Sequence, residues 1–274
     1  MDDAPLIRLA SFYLRTRQQV LCWATQRGRW NADGLSITMA LALHPGDTFF
    51  DIGANVGWIT AYASFLVKAK GRVHSFEPSP FTISFLYRRV QCLRLTNVII
   101  NNFALGDAPG TAILHEYAEN FGGASSLRPD AWPGHKHVRE TPVPIRVLDD
   151  YIAQERIGPI RMVKIDVQGA EVEVLCGARQ LLASASPPVL FVEIERDAQS
   201  AFGRGVQDLL RVIAGFGYKM FSWREEGLAV VQAEADIPAC GHDDVICLNV
   251  GAHQWLYQKL MRLAYRHSRR IKPR

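Results

Sequence analysis

The chain has 274 residues, 48% of them hydrophobic and 21% charged, and a formal net charge of +4. This is ordinary globular composition, and one large domain of this length needs no disulfide or metal staple. The five cysteines are scattered, odd in number and without a C-x-x-C, which argues against a disulfide framework or a zinc site and for a reduced, cytoplasmic setting.

Residues 6–24 predict an amphipathic helix. Leu6, Leu9, Ala10, Tyr13, Val20 and Leu21 share one face, Arg8, Arg15 and Gln19 look away, and Arg17 interrupts the stripe. No apolar run follows a basic start, so no secretory signal is expected. Residues 6–30 hold five arginines and no acid, residues 251–274 hold seven Lys/Arg and no acid, and the body between is net acidic. Two readings of these ends stay open: helices capping the main domain, or contact with an anionic surface such as a membrane or nucleic acid. The expected organisation is an N-terminal helical extension at 1–43, a main domain at 44–250 and a basic helix and tail at 251–274.

In the body, strands are expected at 47–52, 71–76, 97–103, 161–166, 188–195, 217–223 and 244–250, with helices at 57–68, 80–92, 169–182 and 204–215. Strands such as "MVKID" and "VLFVEIE" are apolar until their C-terminal ends, where acids appear. Apolar strands alternating with helices imply a parallel sheet covered on both faces, and polar strand ends imply a ligand crevice there. Residues 107–150 depart from this alternation and predict two strands flanking a long Gly/Ser/Pro-rich loop.

The first strand runs into "FFDIGANVGWIT", with Asp51, Gly53, Asn55 and Gly57 at every second position. The glycines let the chain turn tightly and let a ligand approach the backbone, and the following helix points its free N–H groups at that ligand. The spacing is not the G-x-G-x-x-G of dinucleotide sites, and an acid before the turn suits a cationic, amino-acid-bearing ligand such as S-adenosylmethionine. The second strand ends at Glu77, placed to bridge ribose hydroxyls or to cap the helix begun by Pro78-Ser79-Pro80. Asn102 and Ala104, after the third strand, are positioned beside an adenine, or else they form a turn. Asp166 ends the fourth strand, and Glu193 and Glu195 end the next. Converging carboxylates bind something or share protons. Lys164, inside an apolar strand, is expected to pair with a carboxylate such as Glu193.

The stretches "FDIGANVGWIT", "VHSFEPSP", "GGASSL", "VLDDYI", "VKIDVQGAEVEVLCGA" and "VEIE" together resemble the FkbM-type S-adenosylmethionine-dependent methyltransferases over roughly residues 45–250. Gln168 stands where many members carry Glu. The resemblance implies a class I methyltransferase (Rossmann-like) fold: a seven-stranded, mostly parallel sheet with the last strand antiparallel and helices on both faces. It implies S-adenosyl-L-methionine as cofactor and methyl transfer to a hydroxyl of a sugar, glycan or secondary metabolite. Asp51, Gly53, Asn55 and Gly57 would hold the methionine end and Glu77 the ribose, and Asp166, also a cofactor contact, would sit with Glu193 near the reacting methyl. These two are the expected catalytic residues, with His135 and His137 as second choices for the base. Ser125, with Ser126, is placed against the methionine carboxylate, the acceptor or neither. No ligand spacing demands a metal.

Two other classes share parts of this pattern. An NAD-dependent oxidoreductase wants the missing third glycine. A nucleic-acid (RNA) methyltransferase would use the basic ends, but the fourth strand is followed by "DVQG" rather than an aromatic tetrad for an exocyclic nitrogen, and no arginine–aromatic interleaving marks the body.

Overall fold

Strands that are apolar on both faces need a layer of helices on each side, and the computed structural model has that arrangement. It describes residues 34–117, 125–132, 134–224 and 227–271, and the helix expected at 6–24 lies outside them. In chain order the elements are α1 (Gly34–Ala42), β1 (Thr48–Ile52), α2 (Trp58–Val67), β2 (Arg72–Phe76), α3 (Thr82–Cys92), β3 (Val98–Asn101), β4 (Ala104–Gly106), β5 (Gly110–Tyr117), β6 (Ser125–Ser126), β7 (His137–Val147), α4 (Leu148–Gln154), β8 (Met162–Ile165), α5 (Glu171–Cys176), α6 (Arg179–Leu182), β9 (Val189–Glu195), α7 (Arg196–Ala201), α8 (Val206–Gly215), β10 (Tyr218–Arg224), β11 (Gly227–Val231), β12 (His242–Asn249) and α9 (Val250–Ile271).

The main sheet has the order β11-β10-β12-β9-β8-β1-β2-β3. β1, β2, β3, β8 and β9 run parallel, and β12 is antiparallel to both β9 and β10. The seven expected strands are all present, and β11 adds an eighth by folding back antiparallel along β10 at the sheet's edge. Its run "GLAVV" is short, with Gly227 at φ +132 beside Ala264 of α9, so tertiary contact fixes it as a strand.

Side chains alternate between the two faces along each strand. Phe50, Ile52, Val163, Ile165, Leu190 and Val192 meet Val172 and Leu175 of α5 and Leu209 and Ile213 of α8. Phe49, Met162, Val189 and Phe191 meet Leu35 and Met39 of α1, Tyr62 of α2 and Leu256 and Leu260 of α9. The described part of the C-terminal helix therefore belongs to the core, with Leu256 and Leu260 each 0% exposed. Each such burial stabilises the fold by about 1.5–3 kcal/mol. Among the described residues no helix is long and apolar enough to cross a membrane.

The expected helix at 169–182 is broken. α5 stops at Cys176, and Gly177 passes so close to β4 that a Cβ there would lie 2.1 Å from the Gly106 carbonyl oxygen. Asp149 of α4 then caps α6, its carboxylate accepting the N–H groups of Gln180 at 2.7 Å and Leu181 at 3.0 Å.

Residues 107–150 form more than two strands about a loop. They make most of a second sheet of order β4-β7-β5-β6, whose core is Ala104, Leu114 and Val143. The β5/β7 pair is antiparallel over its length. This sheet is tied to the loops that follow β2 and β8, through Ser79 with Glu116 and Ser126 with Gln168.

Candidate active site

The crossovers bring the C-terminal ends of β1, β2, β8 and β9 to one edge, where two adjoining cavities of about 370 Å³ and about 820 Å³ open. Both sizes fall in the range of small-molecule sites. The first is lined by Gly53, Asn55, Glu77, Phe103, Ala104, Leu114, Ser125, Asp166, Gln168, Glu193, Glu195 and His242, among others. The second shares Gly53, Asn55, Ser125, Asp166 and Glu193 and extends to Gly57, Trp58, Phe81, Phe85 and Asp244.

The turn after β1 explains the alternation in the sequence. Gly53, Asn55 and Gly57 all have positive φ, at 75°, 49° and 84°. A Cβ on Gly53 would lie 1.8 Å from the Asp166 carbonyl oxygen, so only glycine lets β1 and β8 end side by side. Gly57 begins α2 without a side-chain cap.

Asn55 turns its N–H inward to the Glu77 carboxylate at 2.8 Å, and Ser79 donates its N–H to the other oxygen at 2.9 Å. Burial pushes the Glu77 carboxyl up to about 7 despite these two bonds. The side chain of Asn102 donates to the carbonyls of Glu77 and Pro78, at 2.9 and 3.0 Å, and so clamps the chain after β2. Ala104 lines the first cavity between Phe103 and Leu105.

Asp51 is fully buried and lines neither cavity. It accepts Thr60 Oγ1 at 2.6 Å and lies 3.7 Å from Lys164 Nζ. Lys164 does not take Glu193 as its near partner. Its ammonium lies 3.0 Å from Asp166 Oδ2 and donates to the Gly53 carbonyl at 2.7 Å. Register explains the difference: Lys164 sits beside Asp51 of β1 and two residues before Asp166, whereas its neighbour on β9 is Phe191, two residues short of Glu193. Burial would lower the Lys164 pKa, but Asp166 and Asp51 together raise it.

Glu193 instead meets Gln168, whose amide nitrogen donates to Asp166 Oδ1 at 2.7 Å and to Glu193 Oε2 at 2.5 Å. Gln168 can span the two because its backbone is left-handed, φ 56°. The carboxylates part in acidity. Burial would raise Asp166, but Lys164 and the surrounding hydrogen bonds hold it below the usual range. Burial first, and then the Asp166 charge, lift Glu193 well above it. The two shifts run in opposite directions and make Asp166 the stronger acid of the pair.

The turn that carries Gln168 is shaped by Glu171, which the sequence reading passed over. Its buried carboxylate accepts the N–H of Val167 at 3.0 Å and of Gly169 at 3.1 Å, and also binds Gln199. A glutamate facing the core in the first turn of an apolar helix was the available signal. His242 and Asp244 were also missed. Because β12 is antiparallel, its first residues pair with the last of β9, His242 with Glu195 and Asp244 with Glu193. Neither His135 nor His137 lines either cavity. Ser125 lines both, and Ser126 Oγ donates to the Gln168 carbonyl at 2.8 Å, tying the second sheet to the site.

The strand order, the antiparallel β12 and a cleft at the carboxyl edge define a class I methyltransferase fold. The Methyltransferase FkbM domain matches residues 51–220, and the chain belongs to the FkbM methyltransferase family. It is similar to the "31-O-demethyl-FK506 methyltransferase FkbM" of Streptomyces tacrolimicus, 28% identical over 160 residues, which are 49% of this chain and 60% of that protein. It is also similar to "Methyltransferase 1" of Beauveria bassiana, 26% identical over 155 residues, 50% of this chain and 61% of that protein. The chain thus spans about three-fifths of the length of these curated relatives. A solved FkbM methyltransferase from Methylobacillus flagellatus aligns with 74% of this chain and 44% of its own, at 16% identity and a TM-score of 0.49.

Proposed function

We propose that the chain is an S-adenosylmethionine-dependent methyltransferase acting on a hydroxyl oxygen of a sugar, glycan or small metabolite. One observation carries the reading: a single cleft joins a buried ribose-type carboxylate, Glu77, to an acid pair, Asp166 and Glu193, whose acidities have been driven apart. Two carboxyls so separated are suited to different roles in one reaction.

The residues present fit the cofactor. Gly53 leaves the backbone bare where a Cβ would collide, Asn55 and Gly57 continue that surface, and Glu77 keeps lone pairs for two hydroxyls after taking two N–H groups. Ala104, beside Phe103, offers an apolar wall for an adenine, with Asn102 fixing the adjacent backbone and Ser125 facing the opposite end. Asp51 acts from behind by anchoring Lys164. Bound there, the cofactor supplies an activated methyl group on a positively charged sulfur.

The chain's remaining task is to align an acceptor oxygen and remove its proton. Alignment supplies several kcal/mol, and a positioned base adds about a hundredfold or more. Glu193 is the base in this reading, since a carboxyl with raised pKa is the stronger proton acceptor once ionised. Asp166, kept anionic by Lys164, orients the acceptor hydroxyl. D166N and E193Q are the test, with S-adenosylhomocysteine binding followed by calorimetry and transfer from a labelled methyl donor to cell-extract acceptors. Normal binding with transfer cut at least tenfold in each supports the roles, and full transfer in both overturns them. The basic ends fit peripheral contact with anionic lipid, which would weaken on removing residues 266–274.

A further inference from the structure

The β5/β7 pair has two faces with different residues. Leu114, Glu116 and Arg139 look into the cavities, and Glu116 binds Ser79 beside the cleft. His115 lies on the opposite face. The strands pair His115 with Glu140 and Glu116 with Arg139, then shift register so that Tyr117 pairs with His137. The extra residue in β7 is Val138, which is 66% exposed. Residues three apart on a regular strand point to opposite faces. Here the bulge returns His137 to the face of Glu140 and His115, and bulges commonly re-aim side chains in this way at functional sites.

The three side chains converge. His137 Nε2 lies 2.8 Å from Glu140 Oε1, and His115 Nδ1 lies 3.5 Å from the same oxygen. One ligand atom from each falls within 4.8 Å of the others. The imidazole rings meet edge to face, with centroids 5.0 Å apart. His115 is 9% exposed, and its buried Nδ1 has only the long 3.5 Å contact with Glu140, short of a well-formed hydrogen bond. A buried polar atom so weakly satisfied is uncommon and points to something that completes it.

We propose that His115, His137 and Glu140 bind one divalent transition metal of the zinc type. Two imidazole nitrogens and one carboxylate oxygen are an open zinc ligand set, and they disfavour magnesium or calcium, which take oxygen donors. Bonds of about 2.0 Å in a tetrahedral site hold ligand atoms roughly 3.3 Å apart, between the two distances found here. The ion would clamp β5 to β7 behind the wall that faces the cofactor cleft. No local motif signals it, because the ligands come from two strands and the bulge alone aligns them.

The test is zinc binding to the EDTA-treated full chain by equilibrium dialysis and calorimetry, with visible absorption of the cobalt(II)-loaded form. The wild type should take up one equivalent at micromolar zinc, with a rise in Tm and cobalt d–d bands of low-coordinate type. E140Q changes an exposed side chain and H137N a half-exposed one. Each should bind zinc at least tenfold more weakly, with the wild-type Tm retained in EDTA. Glu193, His242 and Asp244 form another group of possible ligand atoms at the cleft, and E193Q/H242N should leave the binding proposed here unchanged. Absence of uptake by the wild type would overturn the proposal. So would uptake unaffected by both E140Q and H137N, or lost only in E193Q/H242N.

Discussion

The Lys164 ammonium lies 3.0 Å from the Asp166 carboxylate, and this contact links the buried start of the site to its exposed floor. On its other side is Asp51, which has no exposure, at 3.7 Å. One cation thus compensates a carboxylate sealed in the core and another that lines the cleft. Replacing Lys164 with Met leaves both without a counter-charge. Removing one partner of a buried pair typically costs about 3–5 kcal/mol. K164M is expected to unfold at correspondingly lower urea, and K164M/D51N to recover part of the loss.

Gly53→Ala brings a second, steric test. The new Cβ would meet the Asp166 carbonyl at 1.8 Å, and the φ of 75° is already unfavourable for alanine. Strain and overpacking together predict about 2–5 kcal/mol of destabilisation. Gly110→Ala, where nothing lies within 4 Å, should change stability by less than about 0.5 kcal/mol. Chemical denaturation of the two variants decides the comparison.

Glu77 gives the pH dependence of cofactor binding. Burial raises its pKa from 4.5 to about 7, so the ligand-free site is largely protonated below that pH. Ribose hydroxyls are held best by the ionised form. Affinity for S-adenosylhomocysteine should therefore fall as pH drops through about 7, with proton release on binding. E77Q should bind at least tenfold more weakly and lose this dependence. Calorimetry in buffers of different ionisation enthalpy measures both effects.

Glu171 acts on stability with a definite sign. Burial lifts its pKa from 4.5 to about 7, so the folded state holds the proton more tightly than the unfolded chain. The associated stability is fully present below pH 4.5 and is lost as pH rises through about 7. Unfolding free energy of the ligand-free protein should decline over that window by a few kcal/mol at most. E171Q should flatten the decline. A wild-type profile that climbs steadily from pH 5 to 8 would contradict it.

The turn after β1 was legible because its chemistry is local. Positive φ at 53, 55 and 57 writes itself into the sequence as Gly, Asn and Gly, the residues that tolerate it. The parallel strands were legible for a similar reason, since burial on both faces demands unbroken apolar runs. What stayed hidden depends on partners far along the chain. The break at Gly177 comes from the Gly106 carbonyl and the Asp149 cap, both from earlier elements. Asp51 looks like a ligand residue in sequence, and only the position of Thr60 and Lys164 turns it into the core. His242 and Asp244 reach the site because β12 runs backwards, a fact of topology rather than of composition.

Gln168 offers the sharpest test of the acid pair, because its side chain touches both carboxylates. In this chain its amide donates to both Asp166 and Glu193, so it supplies two hydrogens and no charge. Glutamate would put a third carboxylate within 2.7 Å of those oxygens, and the hydrogens would have to come from retained protons. Q168E is therefore expected to fold and to bind one additional proton near neutral pH, with the group titrating together rather than residue by residue. Side-chain carboxyl carbon-13 NMR reads this directly: the Glu193 resonance should move to higher apparent pKa in Q168E. It should fall toward the ordinary range in D166N, where the neighbouring charge is gone but the hydrogen-bonding shape remains. Identical Glu193 titrations in all three proteins would mean that Gln168 does not couple the pair.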